Sequence, residues 1–483
     1  MKKMKNNKFI LLGAIAIMFL SCDIETDLDV PQVENPSSVQ IGIEATAFKI
    51  YQNWYQAANN YTGPGLSLAV MSDQMTCSWG NSGMRDTSSE PRVAWDNNST
   101  YGSSGITESF FNSMYSVLAD SNGLVAGIIA GSNFSDIDKI EALSRFGQAA
   151  TIGSLAQVFN KVYVSDETGT LNEGLAYTYA EAMNIAIQKI DLAIIAANRG
   201  DFTLSEGQIN GSTYSSVEFS KYLNSYAARL LATSARNASE RAALDWNKIL
   251  GYTNNGLDFD VTVLGDGYNS WYSEWPIYMI YPGWARVDLR TINLMDTSYP
   301  DYWPAGETIL PEATSADARL ASDYEYMSSQ DFPANRGTYH WSSYRYKRYD
   351  SYTDTGWETY HPEFLSAEND LYKAEALMRT GNISGAAAVL NAGTRTTRGS
   401  LANVAAVQAD VAAAIHYERI VELGQTGLGL AFFEMRGLNL LQTGTLLHFP
   451  VPGASLDANS EEGYTFGGTT GEAGQDYSNG GWR

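Results

Sequence analysis

The chain has 483 residues, of which 12 % are aromatic and 18 % charged, with a formal net charge of −23 and only two cysteines. An acidic surface of this kind excludes nucleic acid and anionic lipid as natural partners, since both require clustered Lys and Arg. It suits a neutral ligand, and the length provides ample apolar surface for a core that needs no disulfide.

The first predicted element is a leader. Lys2, Lys3, Lys5 and Lys8 precede an unbroken apolar run over 9–20. That run falls short of the roughly 20 residues a membrane-spanning helix needs. A basic start, a short apolar core and the small Ser21 predict a secretory signal peptide over 1–21. Phe19-Leu20-Ser21-Cys22 is similar to a lipobox, which predicts cleavage before Cys22 and acylation of that residue. Two or more acyl chains anchor a protein where one does not. Lipidation of Cys22 would leave Cys77 without a disulfide partner. Residues 22–38 are acidic, polar and proline-containing, as a flexible tether would be, and a single folded domain is expected over 39–483.

Helical periodicity then marks 41–58, with Ile43, Ala47, Ile50 and Trp54 on one face, followed by 135–164, 177–198, 216–235 and 240–252. Later helices are predicted over 363–379, 384–394 and 407–442. In one pair, Gly381 stops the first helix and Ala386, Ala387 and Ala388 let the second approach closely, which resembles a tetratricopeptide repeat. Helices joined by short turns imply antiparallel hairpins stacked side by side. Two stretches rich in Gly, Asn, Ser, Pro and aromatics, about 61–110 and 254–362, read as long irregular loops, and loops of that length usually carry function. The fold class expected is mainly α, with little β.

Several segments together resemble the SusD/RagB family of outer-membrane nutrient-binding lipoproteins. They are the lipobox with its acidic tether, the small-residue helix from Arg145 to Phe159, and Asp317-Ala-Arg-Leu320 in place of an Asp-Pro-Arg element. The Ala- and Glu-rich stretch from Phe364 to Leu377 and a C-terminal block complete the set. That block contains Tyr417-Glu-Arg-Ile-Val-Glu-Leu423, Phe432-Phe-Glu-Met-Arg436 and His448-Phe-Pro-Val-Pro452. The resemblance implies a superhelix of tetratricopeptide-like hairpins and a lipid anchor in the cell outer membrane, facing the extracellular side. It also implies a SusC-like TonB-dependent transporter as partner, with oligosaccharide or polysaccharide as cargo. Peptide or another nutrient is the alternative cargo. A secreted glycoside hydrolase is a further alternative, in which the chain would be an enzyme.

Aromatics concentrate locally. Residues 268–303 and 339–360 hold eighteen, among them Tyr281, Trp284, Trp341 and Tyr346, where the average composition would give about seven. A flat ring covers the apolar C–H face of a sugar, and Trp and Tyr lose little conformational freedom on binding. Nearby Asn269, Arg286, Asp288 and Arg345 could bond hydroxyls. The competing reading is that these rings pack a helix-poor subdomain. The resemblance adds the early loop, with Trp79 and Asn81 expected at the glycan site and Trp95 beside them. No catalytic residue, cofactor or metal site is assigned. The four histidines show no ligand spacing, there is no nucleophile elbow, and Asp258, Asp260 and Asp266 lack the calcium-loop pattern. Asp96, Glu274 and Asp288 lie near aromatics, but no spacing pairs them as glycosidase carboxylates.

Overall fold

The computed structural model describes residues 38–60, 62–77, 80–282, 284–329, 341–469 and 477–481. The signal peptide, Cys22 and the tether lie outside the described residues, as does Trp79. Gly42–Arg483 forms one unit, separate from Met1–Ile41.

In chain order, α1 (Ser38–Asn59) is followed by α2 (Gly65–Met71), β1 (Met75–Cys77), α3 (Gly105–Ile129), α4 (Ile137–Val158) and α5 (Tyr179–Arg199). A hairpin of β2 (Thr203–Ile209) and β3 (Ser212–Ser215) leads to α6 (Ser216–Ala232) and α7 (Trp246–Asn254). Short strands come next: β4 (Val261–Leu264), β5 (Ala285–Val287), β6 (Tyr324–Tyr326), β7 (Tyr344–Tyr346) and β8 (Tyr360–Phe364). The chain then returns to helix with α8 (Ser366–Arg379), α9 (Ile383–Ala392), α10 (Gln408–Val421) and α11 (Leu430–Gly437). The mainly α, tetratricopeptide-like class expected from the sequence is the class observed.

Local chemistry sets these boundaries. Thr178 with Glu181, and Ser215 with Glu218, form reciprocal capping boxes at the starts of α5 and α6, satisfying amides that would otherwise lack partners. Gly381, at φ +90°, ends α8: its N–H reaches the Met378 carbonyl and the Asn382 N–H reaches that of Leu377. Only glycine adopts that conformation without strain. The Asn382 side chain then caps α9, so one turn closes a helical hairpin.

Helices from α3 to α6 pack in sequence, α6 on α7, α7 on α8, and α8 on both α9 and α10. Close approach depends on small residues: a Cβ at Gly147 of α4 would lie 2.7 Å from Ile50 Cγ2, and one at Gly153 would lie 2.7 Å from Leu230 Cδ2.

Three expectations are corrected, and one hairpin lies where the sequence analysis assigned nothing. Helix α3 occupies a stretch where no helix was predicted. Its buried Ile106, Phe110, Met114, Val117, Leu118, Leu124 and Val125 follow helical spacing, interrupted to the eye by Gly and Ser. The helix predicted over 407–442 is two, because Gly427 and Gly429 both take positive φ and Gly429 lies against Leu68. The β2–β3 hairpin turns at Asn210-Gly211, a strong hairpin signal. The 254–362 stretch is not simply irregular: it contains four of the strands as well as short helices.

That stretch is an excursion between two packed helices. It leaves from α7 and returns to α8, and the antiparallel pair β4–β8 closes its neck, with Tyr360 opposite Leu264 and His361 opposite Val263. Beyond the neck it builds its own apolar cluster, in which Trp275, Tyr278, Met279, Val287, Tyr324, Tyr344 and Tyr346 pack with Leu66, Val70 and Met75 from the early loop. Strands β1 and β5 pair across the same junction.

Candidate functional site

Most of the aromatic enrichment is core. Trp341 is 1 % exposed, lies over Trp303 with ring centroids 5.8 Å apart and bridges its backbone to Asp288. Tyr346 is fully buried and donates its hydroxyl to the Gly424 carbonyl at 3.0 Å. Trp95 is 3 % exposed, wedged edge-on between Phe449 and Tyr101, and its N–H reaches the Phe466 carbonyl. These three were expected to bind ligand. The structure instead buries them: on β7 Tyr344 and Tyr346 both turn inward while Arg345 between them does not, and Trp95 and Trp341, outside the strands, are enclosed by neighbouring rings.

What remains at the surface is a compact aromatic platform. Trp284, 41 % exposed, stacks on half-buried Tyr281 with centroids 5.2 Å apart and planes inclined by 30°. Tyr278 supports the indole from below at 5.0 Å. The Asn81 amide donates to the Tyr278 hydroxyl, so the early loop and the excursion meet at this point. Asn81 is itself exposed, as is Arg85 four residues on.

Tyr281 also packs against a small core of Ile277, Tyr352 and Trp357, on which half-buried Tyr272 rests as well. Exposed Tyr268 sits 4.2 Å from Trp357 and 5.7 Å from Tyr272 between centroids, so the aromatic surface continues in that direction. The loop bearing it is pinned. Asp266 accepts the Ser270 and Trp271 amides, the Tyr352 hydroxyl accepts the Ser273 N–H, and Ser273 and Glu274 bond Asn59 at the end of α1. Burial pushes the Glu274 carboxyl above its ordinary value, because desolvation disfavours the ionised form.

Other polar candidates serve the fold. Arg286 is buried and donates to the Pro282 and Ala285 carbonyls. Arg345 pairs with Glu325 and with Asp350 at 2.6 Å, and Asp288 caps the helix Leu289–Met295. Asp258 pairs with Lys221, and Asp260 accepts from the Ser366 N–H. Among the described residues, no group of three or more His, Cys, Asp or Glu side chains is placed to hold a metal ion.

In the described segments that carry the family resemblance, several charged residues are buried struts. Arg319, fully buried, bonds Asp317, Glu418 and Glu422 at 2.8, 2.7 and 3.0 Å. Arg241 and Arg419 share Glu375 and Glu434. Arg436 donates to the carbonyls of Thr233, Gln157, Leu447 and Ala235. Burial holds its pKa well below the usual arginine value. The sequence did not distinguish these roles, since a charged residue in a motif looks the same whether it braces the fold or meets a ligand.

The helical-repeat scaffold with an aromatic excursion at one junction is similar in fold to solved structures described as SusD superfamily and SusD-like proteins. A SusD superfamily protein of Bacteroides vulgatus superposes with a TM-score of 0.59 at 13 % identity, covering 88 % of this chain and 98 % of that one. A surface glycan-binding protein A of Bacteroides uniformis gives 0.57 at 15 %, covering 86 % and 97 %. A SusD-like carbohydrate-binding protein of Bacteroides fragilis gives 0.56 at 12 %, covering 82 % and 85 %. No protein-family model and no curated protein matches the sequence. At these identities the likeness is one of fold.

Proposed function

We propose that the chain is a non-catalytic, lipid-anchored surface protein that captures oligosaccharide and passes it to a SusC-like TonB-dependent transporter in the outer membrane. The observation that carries this reading is the Tyr281–Trp284 stack, an exposed indole on a half-buried phenol ring, supported from below by Tyr278. Such a pair offers apolar area to a sugar's C–H face with little ordering cost, and Asn81 beside it can meet ring hydroxyls. Trp79, outside the described residues, is proposed from the sequence as a further ligand contact. Two proteins of the same fold are described as glycan- or carbohydrate-binding, which supports this cargo. Against a hydrolase, Asp288 is buried as a helix cap, Asp96 accepts an amide within its own loop, and Asp266, which with Glu274 acts on Tyr352, is engaged by the Ser270 and Trp271 amides. Acylation of Cys22 would tether the domain at the outer face of the membrane.

Titration calorimetry against a panel of polysaccharides and oligosaccharides tests the reading. Binding is expected for the parent chain, and Trp284→Ala should weaken it about tenfold or more. Absence of binding to every glycan, or turnover of any of them, would overturn it.

A further inference from the structure

Beside the platform, α1 and α3 leave a cavity of about 380 Å³ between them, within the roughly 300–1,000 Å³ usual for small-molecule sites. Asn53 and Gln56 lie on one face of α1 with Asn60 just past its end, and Ser109, Ser113 and Ser116 follow one another at helical spacing on α3. All six line the cavity. Its apolar surface comes from Ala57, Phe110, Val117 and the ring of Tyr272. No lining residue carries a formal charge, in a chain whose net charge is −23.

Its shape and lining separate this hollow from an ordinary solvated helix face. It is concave, combining apolar patches with a dense set of amides and hydroxyls, which is the amphipathic character of a sugar. Asn53 and Gln56 are half-buried on its wall, and Ser109, Ser113 and Ser116 are exposed at its rim. These side chains carry donors and acceptors for a ligand. Tyr272 joins the two sites, since it lines the cavity and rests on the same small core as Tyr281.

We propose that this cavity is a second subsite, which takes the continuation of a neutral, unbranched oligosaccharide lying on the Tyr281–Trp284 platform. The proposal rests on reading the platform as an oligosaccharide site, and it names the cargo class as uncharged. Within the cavity, the charge of an acidic glycan or a charged peptide would meet no opposite charge.

The test compares the parent chain with Asn53→Asp, Gln56→Glu and Trp284→Ala by calorimetry. The probes are length ladders of neutral gluco-, manno-, xylo- and galacto-oligosaccharides, with oligouronates of matched length. The two amide-to-acid changes preserve shape while removing donors. They should weaken the longest neutral ladder member by about fivefold and leave the shortest bound as in the parent, whereas Trp284→Ala should weaken both. If the acid variants bind long chains as the parent does while Trp284→Ala is impaired, the subsite is overturned and the platform stands. A preference for oligouronates overturns the uncharged class. If the parent binds no ladder, the platform reading and the subsite both fail.

Discussion

The helical scaffold and the excursion between α7 and α8 both bury large side chains, but they do so by different rules. In α4, α5 and α6 the inward residues recur at helical spacing, and capping boxes and close-packed glycines fix the ends and crossings. In the excursion, short paired strands and turns hold a cluster of Trp and Tyr rings, most of them turned inward. Helical spacing reports burial directly. A dense run of aromatics reports only that something large must be covered, either by the fold or by a ligand.

That comparison can be pressed hardest at Arg319. Replacing it with Met would leave Asp317, Glu418 and Glu422 close together and buried with their shared cation gone. A cost of about 3–5 kcal/mol is expected, read as a fall in the urea midpoint at unchanged slope. A near-neutral result would mean that this motif does not brace the fold.

Two tryptophans of the excursion sharpen the contrast. Trp341→Ala should cost about 3–5 kcal/mol through the cavity it leaves. Trp284→Ala should stay within about 0.5 kcal/mol and act on binding instead. Equal effects on stability would erase the distinction between core ring and platform ring.

The neck of the excursion gives a smaller, pH-dependent effect. Burial holds the His361 imidazole down at about 4, against an ordinary 6.5. Between those values the folded chain binds fewer protons than the unfolded chain, so stability falls as pH drops through that window. His361→Phe removes this penalty. Relative to the parent, the variant should gain on the order of 2–3 kcal/mol as pH is lowered from 6.5 toward 4, with a constant offset above that range. Thermal melts across pH measure the difference, and an offset independent of pH would contradict it.

Much of the scaffold was legible in the sequence. The segments over 41–58, 177–198 and 363–379 carry continuous apolar spacing and became α1, α5 and α8. Helix α3 carries the same spacing, but Gly105, Gly123 and Gly127 and the intervening serines give it the composition of a loop. The Asn210-Gly211 turn was a readable hairpin signal between alternating residues. The site was legible only in part. Tyr281, Trp284 and Asn81 lie together at the surface, whereas Trp95, Trp341 and Tyr346 are interior. Sequence spacing cannot separate these sets, because which ring faces outward depends on strand pairings such as β6 with β7, made between residues distant along the chain. The amide-lined cavity was not anticipated, since its two walls come from helices more than forty residues apart.

A crystal structure of the protein soaked with the neutral oligosaccharide that binds it best would test the account most directly. Sugar rings stacked on Trp284 and Tyr281, with the chain running toward Tyr272 and Asn53, are the expected result. Sugar bound elsewhere, with the Trp284 face bare, would contradict it.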